Sequence, residues 1–159
     1  MEIARWGSPL GTIILGATSK GLAGLWFDGQ RHQPDMRGWP ENPGHPVLQQ
    51  AIAQLQEYFD GTRTRFDLPL DLGLGTSFQQ SVWNALLAIP CGDTSSYSLI
   101  GQRIGKPAAS RAVGAAIGRN PLSIVVPCHR VLGSGGQLTG YAGGLDRKTA
   151  LLKLERALM

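Results

Sequence analysis

The residues best suited to chemistry lie late in the chain, in the run P-C-H-R-V at 127–131. Cys128 offers a thiol and His129 a base. Only a few per cent of an ordinary thiol is thiolate at neutral pH, so a base within reach increases the reactive fraction. Glu155 shares a helical side with Leu151 and Leu158, where a carboxylate needs a partner, and His129 or Arg130 can supply one. Pattern alone leaves the bland alternatives open. A cysteine closing an apolar run is equally a packed, inert side chain, adjacent side chains point apart, and Glu155 can sit at the edge of its stripe in water.

The remaining chemistry-bearing residues narrow the field. The chain has two cysteines and three histidines, without metal-ligand spacing, so neither a metal nor a cofactor is expected. A disulfide between Cys91 and Cys128 is disfavoured in a reducing compartment. Cys91, near a helix end, reads as structural. No apolar run approaches the roughly 18–20 residues that span a bilayer, and the start M-E-I-A-R-W lacks a signal-peptide layout. A cytoplasmic location follows as an expectation. The net charge of +4 is unevenly placed: residues 1–74 carry six Lys/Arg against eight Asp/Glu, residues 75–159 nine against three. A basic second half suits a polyanion partner, although many proteins have a basic face.

These residues need elements to position them. The first 27 residues read as β structure, with strands over 10–18 and 21–27 separated by a turn at S-K-G. Residues 28–45 read as a loop. A helix follows from Pro46 to Tyr58, with Val47, Ile52 and Leu55 inward and Gln50 and Gln54 outward. Residues 60–75 suggest a short strand running into a linker, which places a domain boundary at 74/75. Thr76 with Gln79, or Ser77 with Gln80, forms a capping box opening a helix that Pro90 and Gly92 stop. Ser95 or Ser96 caps a second helix, 97–104, ended by Gly105. Pro107 opens a third that runs to about Gly118. Two short helices around a glycine-containing turn form a helix-turn-helix pattern. In the third helix Ala109, Val113, Ala116 and Ile117 face inward. Arg111 lies about 200° from Ala109 and points outward among Ser110, Gly114 and Gly118. A last helix spans 145–158.

The motifs F-Q-x-x-V-W (78–83), I-P-C-G-D-T-S-S-Y (89–97), S-R-A-V-G-A-A-I-G-R-N-P (110–121), I-V-V-P-C-H-R-V (124–131) and Y-A-G-G-L (141–145), with Glu155, resemble the O6-alkylguanine-DNA alkyltransferases. S-P-L-G-T (8–12) and G-L-A-G-L (21–25) are similar to that family's first domain. The resemblance implies an α+β fold: a small ribonuclease H-like β-sheet/helix domain at 1–74, and a mostly helical domain with a helix-turn-helix at 75–159. It implies direct reversal of DNA damage. O6-alkylguanine, and O4-alkylthymine, would be flipped from the duplex and the alkyl group moved irreversibly to Cys128, once per molecule.

The same resemblance assigns roles. Cys128 is the nucleophile, His129 the base acting through a water, and Glu155 the carboxylate orienting that histidine. Tyr97 helps rotate the nucleotide and donates toward the purine. Arg111 fills the space left by the extruded base, with Ser110 and Gly114 beside it at the minor groove. Asn120 is the hinge joining the recognition helix to the active-site segment, counted with the DNA-binding set. Backbone carbonyls of Cys128 and Val131 recognise the guanine amino group, while Tyr141 and the backbone at Ala142 wall the pocket. The implied partner is double-stranded DNA carrying alkylated bases, bound by a monomer. Three departures stand out: no cysteine precedes Cys91, where some relatives bind zinc; Ala142 replaces a serine; and Ser95 replaces an arginine. The rival reading is a non-catalytic damage-binding protein, which would lack the nucleophile. A helix-turn-helix alkylation sensor and a cysteine protease are weaker alternatives.

Overall fold

The computed structural model describes residues 1–133 and 135–158. The chain opens with a three-stranded antiparallel meander, β1 (Glu2–Ser8), β2 (Gly11–Thr18) and β3 (Gly21–Phe27). β3 is buried along its whole length, so it reads as a continuous apolar run rather than an alternating one. Both outer edges of the sheet are covered. Ile3 and Asn42 exchange backbone bonds with the loop along β1 (Ile3 N–H to Pro40 O, Asn42 N–H to Ile3 O). Along β3, Leu22 bonds to Pro69 and Asp71, and Leu25 to Pro121 and Ser123.

Helix α1 (Pro46–Phe59) packs on this sheet. Its inward face is Leu48, Ala51, Gln54, Leu55 and Tyr58; Leu55 and the exposed Gln50 lie as expected, whereas Val47 and Ile52 are half-buried and Gln54 is buried rather than outward. The reason is local. The Gln54 side chain donates to Asp67 O at 2.9 Å and accepts from the Asp67 amide at 2.9 Å. That two-way bond ties the 60–75 segment to the helix. The strand expected there is absent, and only Leu70 makes a single bridge, to Leu22.

The second half is built of short helices. α2 (Ser77–Leu87) begins with the Thr76–Gln79 capping box and buries Val82, Trp83, Ala85 and Leu86. β4 (Ser95–Ser96) leads into α3 (Tyr97–Arg103), whose Ser96 cap accepts from the Leu99 amide. α4 (Ser110–Gly118) starts three residues beyond Pro107, which lies in the preceding turn; Ala109 is the N-cap and makes no side-chain bond. Gly101 lets that turn close, since a Cβ there would sit 3.1 Å from Lys106 O. A 3-10 turn, Cys128–Arg130, precedes β5 (Val131–Leu132), which pairs in parallel with β4. α5 (Leu145–Leu154) is shorter than expected. Arg156 adopts a left-handed φ of 62°, and the Arg156 and Ala157 amides turn back onto Lys153 O and Leu152 O, a Schellman stop that leaves Glu155 as C-cap. One apolar cluster runs through both halves, from Leu15 and Phe27 to Val113, Cys128 and Leu151.

Candidate active site

The 3-10 turn that carries Cys128 and His129 is the end of a segment with little freedom. Asn120 closes α4 and is 4% exposed. Its side chain accepts from the Leu122 amide at 3.0 Å and donates to Val126 O at 2.8 Å. Between these anchors Ile124 holds a φ of 72°. That costs a β-branched residue on the order of 1–3 kcal/mol, which only a well-determined surrounding sustains. Asn120 is therefore a clamp that fixes the segment leading to Cys128 from inside the protein.

Cys128 and His129 are both buried, at 7% and 0% exposure. Burial pushes the thiol up to about 11, against a smaller downward pull from the Asn120 side chain and the nearby Lys148 charge. His129 Nε2 lies 2.7 Å from Glu155 Oε2. Burial would raise the Glu155 carboxyl, yet bonds from His129, Arg130 and Tyr58 overcome it and hold the group at about 2. Glu155 is therefore an acceptor, so Nε2 carries the ring hydrogen and Nδ1 carries the lone pair. Nδ1 has no protein partner among the described residues. Burial lowers His129 below the usual imidazole value, with Glu155 pulling the other way. The ring is neutral and able to accept a proton.

Glu155 gathers more than the one partner. Arg130 donates through Nε to Oε1 at 2.8 Å and through Nη2 to Oε2 at 3.0 Å, and its Nη1 reaches Ile89 O at 2.6 Å. Both expected partners are thus engaged together. A third, Tyr58 of α1, donates to Oε2 at 2.5 Å. Sequence reading missed Tyr58 because nothing in its helix signals a partner 97 residues away.

Lys148 was missed as well. It is fully buried, and its Nζ donates to Val131 O at 2.7 Å and Thr139 O at 2.6 Å. Burial lowers it to about 8, partly offset by Cys128. The Val131 carbonyl is thus already bonded once, as is the Cys128 carbonyl, which accepts from the Val131 amide.

A cavity of about 360 Å³ opens onto Cys128. Tyr97, Gly114, Tyr141 and Ala142 line it, together with Arg119 and, from the N-terminal loop, Arg31 and His32. The last three were not foreseen. The Arg31 amide donates to Ala142 O at 3.0 Å, which docks that loop on the pocket wall. Tyr97 reaches Thr139 Oγ1 at 3.1 Å. The Tyr141 hydroxyl has no hydrogen-bond partner among the described residues, and its ring packs on Gly143, where a Cβ would meet it at 2.8 Å. Ser110 and Arg111 are exposed on α4, outside the cavity lining, while Gly114 reaches the cavity. A Cβ at Gly114 would lie 3.9 Å from the Tyr97 ring. A wider cleft of about 540 Å³ lies against Arg130 and Cys91 and does not include Cys128. Both cysteines are free. Among the described residues no three His, Cys, Asp or Glu side chains gather as a metal site, and no helix is long and apolar enough to cross a membrane.

The chain that carries this site is similar to known proteins along most of its length. Residues 77–157 match the DNA binding domain of 6-O-methylguanine DNA methyltransferase, and residues 6–72 match its ribonuclease-like domain. A methylated-DNA–protein-cysteine methyltransferase of Mycolicibacterium paratuberculosis is 51% identical over 149 residues, covering 94% of this chain and 88% of the relative. One from Methanosarcina barkeri is 50% identical, covering 93% and 92%. The crystal structure of Mycobacterium tuberculosis OGT in complex with DNA superposes with a TM-score of 0.91 at 46% identity, covering 99% of this chain and 94% of that one. With both domain descriptions matched in order and relatives near half identity along almost the full length, this chain belongs to the 6-O-methylguanine DNA methyltransferase family.

Proposed function

We propose that Cys128 is the acceptor in the family's reaction, the direct removal of an alkyl group from O6-alkylguanine in duplex DNA. The observation that carries this reading is the His129–Glu155 bond of 2.7 Å, which leaves Nδ1 as a lone-pair base on the residue that follows the buried Cys128. The thiol proton passes to Nδ1 through a water. The thiolate attacks the alkyl carbon, the C–O bond breaks, and its electron pair stays on the purine, which takes up the displaced proton. The product is a thioether on Cys128 and an unmodified guanine. A thioether does not hydrolyse back to the thiol, so each molecule acts once.

Burial explains why the relay is needed. A thiol pushed up to about 11 holds its proton at neutral pH until a base removes it. The alkylated oxygen is out of reach inside the stack, so the nucleotide must be flipped, at a cost of a few kcal/mol. In this reading Tyr97, Tyr141 and the Ala142 backbone wall the base pocket. The Cys128 and Val131 carbonyls accept from the guanine amino group. Arg111, with Ser110 and Gly114, meets the minor groove and occupies the vacated space. Asn120 fixes the turn from inside. The chain divides at 74/75 into a supporting domain and a DNA-binding, alkyl-accepting one. A single chain supplies every residue of the site, which fits action as a monomer, and the reading places the protein in the cytoplasm.

The test is a duplex carrying one O6-methylguanine, followed by the mass of the peptide containing residue 128. One added methyl group per protein molecule is expected, and none for Cys128→Ala. Repeated turnover, or methylation confined to Cys91, would overturn the assignment. Retention of damaged DNA with no mass change would instead favour a non-catalytic damage-binding protein.

A further inference from the structure

We propose that Tyr58, supplied by α1 of the first domain, is a positioning residue for alkyl transfer, sharing Glu155 Oε2 with His129 and limiting how strongly that carboxylate draws on the imidazole. The proposal rests on the reading of Cys128, His129 and Glu155 given above.

The two oxygens of Glu155 are unequally loaded. Oε1 accepts one bond, from Arg130 Nε. Oε2 accepts three: Tyr58 Oη at 2.5 Å, His129 Nε2 at 2.7 Å and Arg130 Nη2 at 3.0 Å. Each donor withdraws charge from the oxygen that His129 needs. Arg130 does so from the residue next to His129 in the chain. Tyr58 does so from α1, in the first half of the chain. Without the Tyr58 hydroxyl, more negative charge remains at Oε2, the Nε2–H bond strengthens, and Nδ1 becomes more basic. An imidazole made too basic is protonated before the thiol can deliver its proton. Tyr58 thus adds to burial in keeping His129 neutral near physiological pH.

The surrounding charges do not duplicate this effect. Glu155 faces His129, Arg130 and Tyr58, with Cys91 close by. His129 faces Glu155, Arg130 and Lys148 beside Cys128. Besides the His129 ring itself, Tyr58 is the one neutral donor on Oε2 among the described residues. Its ring is held independently of the hydroxyl, edge-on to Phe59 at 5.4 Å and tilted on Phe66 at 5.5 Å. Removing the oxygen alone therefore leaves the packing in place.

The experiment compares wild type with Tyr58→Phe in two measurements. One is the rate of methyl transfer to Cys128 from methylated duplex against pH. The other is the ring-nitrogen NMR titration of His129 in the unreacted protein. The variant is expected to move both inflections to higher pH by roughly one unit, the scale of one hydrogen bond to a charged acceptor. Replacing Tyr58 with fluorotyrosine makes a stronger donor of the same shape and should move both the opposite way. It also tests the proposal if the phenylalanine variant fails to fold. A uniform loss of rate at every pH with the His129 titration unmoved would reduce Tyr58 to packing and overturn the proposal, as would no change in either measurement. If wild type fails to methylate Cys128, the functional reading falls, while the His129 titration still decides whether Tyr58 tunes the ring.

Discussion

Glu155 concentrates the consequences that belong to single residues. Its side chain is 1% exposed and carries bonds from three residues. The carboxyl is held at about 2 in the folded protein against an ordinary value of 4.5. A depressed carboxyl stabilises the fold fully above its unfolded value, and that contribution disappears as pH falls through the folded one. The difference corresponds to about 3 kcal/mol. Glu155→Gln is therefore expected to lower stability at neutral pH by roughly 3 kcal/mol, as it also leaves Arg130 without its counter-charge. The gap from wild type should narrow steadily below about pH 5 and close near pH 2. Urea unfolding at a series of pH values checks this; a gap independent of pH would separate Glu155 from the depressed carboxyl. The partnership of Glu155 with His129 and Arg130 was legible in the sequence, because a carboxylate on an apolar stripe needs donors. Lys148 was not, because a lysine in L-D-R-K-T-A looks like part of a solvated face, and only the carbonyls brought around it by the fold make its burial affordable.

At the scale of elements, α4 and α5 divide the work. α4 presents Arg111 outward while Val113, Ala116 and Ile117 anchor it inward. If Arg111 fills the space of a flipped base, Arg111→Ala should slow repair of a duplex by about tenfold, the scale of roughly 1–2 kcal/mol of lost stacking and charge. Transfer from the free modified base should change little. Rates on the two substrates check this, and equal slowing would remove Arg111 from the flipping step. α5 presents Lys148 and Glu155 inward, seven residues and about two turns apart, hence on one face. Proton transfer from Cys128 to His129 leaves a negative sulfur and a positive ring. The helix already holds the complementary pair, an ammonium on the sulfur side and a carboxylate on the ring side. Helix order and the Thr76–Gln79 capping box were readable from periodicity and cap residues. Two helix limits were not. Pro107 is as acceptable in a turn as in a first helical turn, and Arg156 in a left-handed cap carries no glycine to announce it.

Across the whole molecule the two halves are not independent bodies. One apolar core crosses the 74/75 division, and Arg147 of α5 donates to Leu10 O at 3.0 Å and lies over the Phe27 ring at 4.6 Å. The sequence shows the change from strands to helices and the shift in charge near residue 74, but a shared core leaves no compositional trace. Nor does it show that residues 121–123, on the way to Cys128, run along the open side of β3. There the Leu25 amide bonds Pro121 O at 2.8 Å and Leu25 O accepts from Ser123 at 3.1 Å. The stretch leading to the nucleophile therefore also acts as an edge guard. Expressed alone, residues 1–74 would present β3 with that stretch of its edge bare, and an uncovered apolar strand is a template for pairing with other copies. Size-exclusion chromatography should show self-association of that fragment, relieved by adding residues 75–159; a lasting monomer would show the edge protected by other means. The stretch that leads to the nucleophile is thus also the stretch that keeps this part of β3 from other copies.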